Sequence, residues 1–209
     1  MVKKEAINEQ RVLLNRISWP KLTELLAEMG PERTAHLCYD HSRLELMTPS
    51  AEHERCSKLV ESLLLVLADE MNIAIQVTRS ALLLRPDLEL AIQPQLSCSL
   101  SPTAVLHPSA PPDLILEVAF NRSSLDKLPL YANLGIPEVW LYGHSGQQPA
   151  SSRRLQIYHL HQGQYEKSEI SFNFPFLSGP TILQFLDQSD TVGLRPALLL
   201  LRDWLQKQN

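Results

Sequence analysis

"PPDLILEVAFNRSSLDK", residues 111–127, sets an apolar strand between two prolines and a polar turn that ends on a lysine. "DLILEVAF" is apolar at nearly every position, which predicts a strand buried on both faces and therefore central in its sheet. Two carboxylates break the pattern, Asp113 at the strand's mouth and Glu117 in its middle. An ionised carboxylate inside such a strand must be paired, protonated, bound to a metal or open to a cleft. Asp113 and Glu117 share a strand face, but their Cα atoms are about 13 Å apart at 3.3 Å per residue, too far to share one ion. Glu117 therefore needs a partner from another strand or helix. Two readings stand at this point: a structural ion pair with an arginine or lysine, or half of a metal-dependent site.

Downstream, Asp126 to Leu134 predicts a helix, started by the acid at its dipole's positive end and carrying Pro129 in its first turn. Gly135 ends it and "PEVWLYG" gives the next strand, so the stretch opens a strand–helix–strand unit. Upstream, Ser18 caps a helix with Pro20 in its first turn and Leu22, Leu25, Leu26 and Met29 at helical spacing, up to Gly30-Pro31. "AHLCYDHSRLELMTP" predicts two strands about a turn at Asp40-His41-Ser42. Pro49-Ser50 begins a longer helix buried along Cys56, Leu59, Val60, Leu63, Leu64 and Leu67. "IAIQVTR" and Leu96–Leu100 read as strands, and 101–112 as a surface loop. Beyond the polar tip "SGQQPASS", "LQIYHL" and "YEKSEISF" form a hairpin about Gly163, followed by "FPFLSG" and a last helix from Pro196 to Gln206. The expectation is one mixed α+β domain over 1–209, with 1–17 as an N-terminal extension.

Composition narrows the class. At 44% hydrophobic and 20% charged, the 209 residues suit a globular protein with a full core. The longest apolar run is interrupted by Glu61 and Asp69, so no membrane span is expected. The first residues lack the apolar segment of a secretory signal. Cys38, Cys56 and Cys98 are scattered without zinc-site spacing, which fits reduced thiols in the cytoplasm. A net charge of −4 with dispersed basic residues gives no electrostatic footprint for nucleic acid, although a local basic face could still meet it.

The block "PPDLILEVAFNRSSLDKLPLYANLGIPEVWLY" resembles the Uma-two-type restriction-endonuclease family, abundant in cyanobacteria, whose fold is similar to the PD-(D/E)XK nucleases. "YDHSRLELMTPSAEHE" resembles the same family's entry hairpin and helix start, and the likeness runs from about residue 35 onward. The resemblance implies a restriction-endonuclease-like core, with a central mixed sheet flanked by helices and added β-hairpins. It also implies a Mg²⁺-dependent phosphodiester hydrolase, a homodimer, and a site built from Glu117, Lys127, Asp113, His53 and Glu45. In that family carboxylates on adjacent strands hold the ion and a lysine orients the nucleophile. Here Glu117 takes the glutamate position, Ala119 stands where the lysine would, and Lys127 is the replacement from the following helix. Glu117 and Asp113 are the metal-ligand candidates, with Asp113 the more orienting of the two. The preceding strand should supply another carboxylate, but this chain reads "IQPQLSC", with Gln93 and Gln95 in those places. Glutamine carries no charge to hold a hard cation. A shifted alignment would bring Asp87 forward instead. His53 is either a site residue at the start of the second helix or a buried histidine bonded to the backbone. Glu45 either faces solvent between Leu44 and Leu46 or points at the cleft. Trp140 and Tyr131 are core aromatics or stacking platforms for a base.

Overall fold

The computed structural model describes residues 9–100, 110–121, 123–144 and 153–208. Strands β1 (Gln10–Asn15), β2 (His36–Asp40), β3 (Arg43–Thr48), β5 (Leu83–Arg85) and β6 (Leu90–Ile92) make a five-stranded antiparallel sheet in the order β1-β3-β2-β6-β5. Strands β4 (Gln76–Arg79), β7 (Leu96–Ser99), β8 (Leu114–Ala119), β9 (Glu138–His144), β10 (Arg153–His161) and β11 (Gln164–Ser168) make a six-stranded sheet in the order β11-β10-β9-β8-β7-β4. Its one parallel pair is β8–β9, and helix α3 (Lys127–Asn133) lies in the crossover between them. A parallel neighbour cannot be reached by a tight turn, so the chain must leave the sheet, and that excursion carries Lys127.

Helices α2 (Ala51–Met71), α4 (Gly179–Val192) and α5 (Leu194–Leu205) cover one face of the six-stranded sheet, where Leu114, Leu116 and Val118 of β8 join Leu63, Leu67, Phe185 and Leu201. On the opposite face Ile115 packs with Cys38, Ile92, Val139 and Tyr131, between the two sheets and α3. Alternation puts Glu117 on that second face, next to Ile115. The central, doubly covered position expected of "DLILEVAF" is what the sheet order gives. Helix α1 (Trp19–Met29) closes the far side of the five-stranded sheet through Leu22, packed with Leu37, Tyr39, Leu44 and Ala91. Ser18 caps α1 by accepting from Lys21 N at 3.4 Å, and Asp126 caps α3 by accepting from Leu128 N at 3.3 Å.

Several elements go beyond the sequence reading. Residues 10–15, expected within an extension, form β1 on the outer edge of β3. The run "LLLRPDLELAI" is two short strands about a single 3-10 turn at Pro86–Leu88. Helix α4 follows "FPFLSG" and had no place in the sequence reading; Pro180 sits in its first turn. The apolar "FPFL" turns inward, with Phe174 and Leu177 fully buried in the chain's own core. The surface loop at 101–112 lies mostly, and the polar tip at 145–152 wholly, outside the described residues.

Candidate functional site

Glu117 is 5% exposed and sits at the floor of a cleft of about 730 Å³. Strand β8 delivers it from one side, while α3 delivers Lys127 and, one turn on, Tyr131. Residues four apart on a helix share a face, so both donors reach the same carboxylate. Lys127 Nζ binds Glu117 Oε1, and the Tyr131 hydroxyl donates to Glu117 Oε2 at 2.7 Å. Burial pushes the Lys127 ammonium down, but Glu117 outweighs it and the lysine titrates above its ordinary value. Burial, reinforced by Glu117, lifts the Tyr131 phenol well above its usual range, so it is a fixed donor at neutral pH. Behind the pair, burial pushes the Cys38 thiol up to about 12, which leaves no thiolate for nucleophilic chemistry.

The turn between β8 and α3 is held by Glu45. This residue is 1% exposed, so neither Leu44 nor Glu45 of the alternating pair faces water. Glu45 accepts from Ser123 Oγ at 2.7 Å, from Ser124 N at 2.6 Å and from Arg11 Nη1 at 2.5 Å. It thereby ties β3 to the segment that launches Lys127. Arg11 comes from β1, and the register Leu13↔Glu45 and Arg11↔Met47 puts it diagonal to Glu45 on one sheet face. Its Nε also binds Glu9 Oε1. Glu9 Oε2 is 3.4 Å from His53 Nε2, and both side chains have no exposed surface. Burial raises the Glu9 carboxyl, but His53 and Arg11 together pull it below its usual range.

His53 lies in the first turn of α2. Its Nδ1 accepts from Ser50 N at 3.2 Å, which puts the neutral ring's proton on Nε2, facing Glu9. Phe120 packs against the ring edge-on at 4.9 Å. The histidine thus joins the helix start, the end of β8 and the N-terminal strand. His36 on β2 meets Ser80 Oγ at 3.0 Å through Nε2. Burial holds its pKa down, with Glu117 pulling weakly the other way.

The remaining sequence candidates fall elsewhere. Asp113, at the opposite end of β8, accepts from Leu100 N at 2.8 Å and pins the end of β7. Gln95 N donates to Leu116 O at 3.1 Å, so Gln95 lies beside the Leu116–Glu117 peptide; its side chain is buried and Nε2 has no hydrogen-bond partner among the described residues. Gln93 is occupied structurally, donating to Ser80 O at 2.8 Å. Asp87 is exposed in the 3-10 turn and paired with Arg85 at 2.7 and 2.8 Å. Trp140 is fully buried and offers no face to a base. Sequence reasoning missed Glu9, Arg11 and the bond from Tyr131; the alternation Glu9-Arg11-Leu13 was the one signal for the first two. Arg11, Arg43 and Lys127 line the cleft together with Asp40, Glu117 and Asp126. Among the described residues no three His, Cys, Asp or Glu side chains converge as metal ligands.

A mixed six-stranded sheet with helices on one face, a second sheet on the other and a helical crossover between its parallel strands makes this a mixed α+β protein. The chain belongs to the Uma2 family, described as "Putative restriction endonuclease", which it matches over residues 19–191. A crystal structure titled as a putative nuclease of the DUF820 family, from Anabaena variabilis, shares the fold: TM-score 0.52, 12% identity, 81% of this chain and 99% of that one covered. No curated protein matches.

Proposed function

We propose that this protein binds a phosphodiester, from DNA or RNA, in the cleft above Glu117 and that its metal-dependent hydrolysis has decayed. The observation that carries this reading is the environment of Glu117. Its two oxygens are taken by Lys127 and Tyr131, and its neighbour in the adjacent strand is Gln95. When bound, Mg²⁺ in this family's site activates water and neutralises developing charge on phosphorus. Mg²⁺ keeps several waters and is held through one or two carboxylates. Here one carboxylate is engaged by an internal cation and the position beside it is neutral, so the residues present do not fit a resident Mg²⁺. Lys127 and Arg43, which line the open cleft, have further N–H groups to offer phosphate oxygens beyond those spent on Glu117 and Asp40.

The test is anisotropy of short labelled DNA and RNA oligonucleotides, with cleavage followed on gels. Binding that weakens with salt, that Lys127→Ala and Arg43→Ala reduce, and that proceeds without Mg²⁺-dependent cleavage supports the reading. Ready cleavage with Mg²⁺, abolished by Glu117→Gln, overturns it. No helix among the described residues is long and apolar enough to cross a membrane. The cytoplasmic setting rests on three free, buried thiols. A homodimer is part of the proposal, supported by the exposed Ile170 and Phe172 beside β11 and tested by sedimentation equilibrium.

A further inference from the structure

The polar cluster under the cleft has a composition that the reading above does not use. Two carboxylates with essentially no exposed surface, Glu9 and Glu45, flank one guanidinium. Arg11 Nε binds Glu9 and Arg11 Nη1 binds Glu45 at 2.5 Å, in the fork geometry that only arginine offers. The Arg11 side chain is itself 10% exposed. Beside it Glu9 Oε2 and His53 Nε2 face each other at 3.4 Å, and Arg11 Nη2 is buried with no hydrogen-bond partner among the described residues. A buried guanidinium N–H left without an acceptor is uncommon in a folded protein.

Paired buried carboxylates need a cation. In a metal-dependent site a divalent ion supplies it and exchanges with solvent. Here the counter-charge is covalently part of β1, an edge strand that among the described residues pairs with β3 alone. We propose that Arg11 is a built-in cation that takes the place of a divalent ion between Glu9 and Glu45, so that the N-terminal strand closes this position to metal. His53 is a positioning residue here, because its Nδ1 is committed to Ser50 N and its Nε2 proton faces Glu9.

The inference concerns the same cleft as the proposed function but has its own readout, Mn²⁺ uptake followed by electron paramagnetic resonance. Wild type and Arg11→Lys, which keeps the charge, leave Mn²⁺ free over a range where Arg11→Met retains it, a gain in affinity of about tenfold or more. Adding Glu9→Gln to Arg11→Met abolishes the gain. Equal Mn²⁺ affinity in wild type and Arg11→Met overturns the inference. Should Arg11→Met not fold, the wild type alone decides: tight Mn²⁺ uptake that Glu9→Gln or Glu45→Gln removes overturns it, and uptake insensitive to both, or none, upholds it. Cleavage by wild type with Mg²⁺ bound at Glu117 would sink the proposed function and leave this inference standing.

Discussion

Strands β8 and β9 each bury a glutamate, and the two are solved in opposite ways. Glu138, at the start of β9, has no exposed surface and is saturated by neutral donors: Trp140 Nε1 at 2.5 Å, the backbone N–H groups of Phe172 and Asn173 at 3.0 Å each, and Asn173 Nδ2 at 2.8 Å. It staples the segment after β11 to the sheet and does not line the cleft above Glu117. Glu117, near the end of β8, has one ammonium, one phenol and an open cleft above it. A carboxylate enclosed by fixed dipoles is architecture, because nothing can reach it. A carboxylate balanced by a side-chain cation at the floor of an open cleft can exchange that partner for a ligand, which is what a binding site requires.

The contrast predicts a large loss at one end. Glu138→Ala removes the acceptor of four donors, the fully buried Trp140 indole among them, and should destabilise by roughly 3–4 kcal/mol, measured from urea midpoints. A loss below about 1 kcal/mol would show that water replaces the carboxylate and would dissolve the distinction. At the other end, Lys127→Met alone should cost about 3 kcal/mol by stranding Glu117. Glu117→Gln combined with Lys127→Met should return to within about 1 kcal/mol of wild type, since the amide still accepts from Tyr131. A strictly additive double variant would mean that the pair is not coupled.

Titration sharpens the same difference. His36, held below its ordinary value by burial, resists protonation in the folded state while the unfolded chain takes up its proton near pH 6.5. Its contribution is complete above that pH and is lost as pH falls towards the folded value, by at most about 1.4 kcal/mol per pH unit. His36→Gln should flatten the fall in stability below about pH 6.5. At high pH the sign reverses. Lys127 and Tyr131, both raised, contribute fully below about pH 10 and lose that contribution as pH climbs through their folded values. A thermal melt series across both windows, in wild type and His36→Gln, measures this smallest effect.

The fold was legible where periodicity was strong. Helices α1 and α2, the hairpin at Asp40–Ser42 and the β8–α3–β9 unit all follow from spacing and caps in "LTELLAEM", "CSKLVESLLLVL" and "DLILEVAF". Strand β1 was not, because "QRVLLN" is too short to separate from a tail until its partner β3 is known. Helix α4 was overlooked although Ile182, Phe185 and Leu186 recur at helical spacing, because "PTILQFLDQSDTV" begins straight after a proline-bearing turn that masks its start. At the site, the need of Glu117 for a partner could be read from cost alone. That Tyr131 would share it, or that Glu45 would be buried by Arg11 and the Ser123-Ser124 turn, depends on how two sheets face each other, which no local pattern encodes. Asp113 shows the converse: its motif position marks it as a site residue, while its geometry gives it a backbone to cap.

The central claim is that Glu117 keeps the place of a nuclease carboxylate without the neighbour that would make it a metal site. The direct measurement is turnover of plasmid DNA and of single-stranded RNA with Mg²⁺ or Mn²⁺ by wild type, Gln95→Asp, and Gln95→Asp with Glu117→Gln. The account predicts negligible cleavage by wild type, a gain of about tenfold or more in Gln95→Asp, and loss of that gain in the double variant. Efficient cleavage by wild type, or a Gln95→Asp protein that folds and cuts no better, would contradict it.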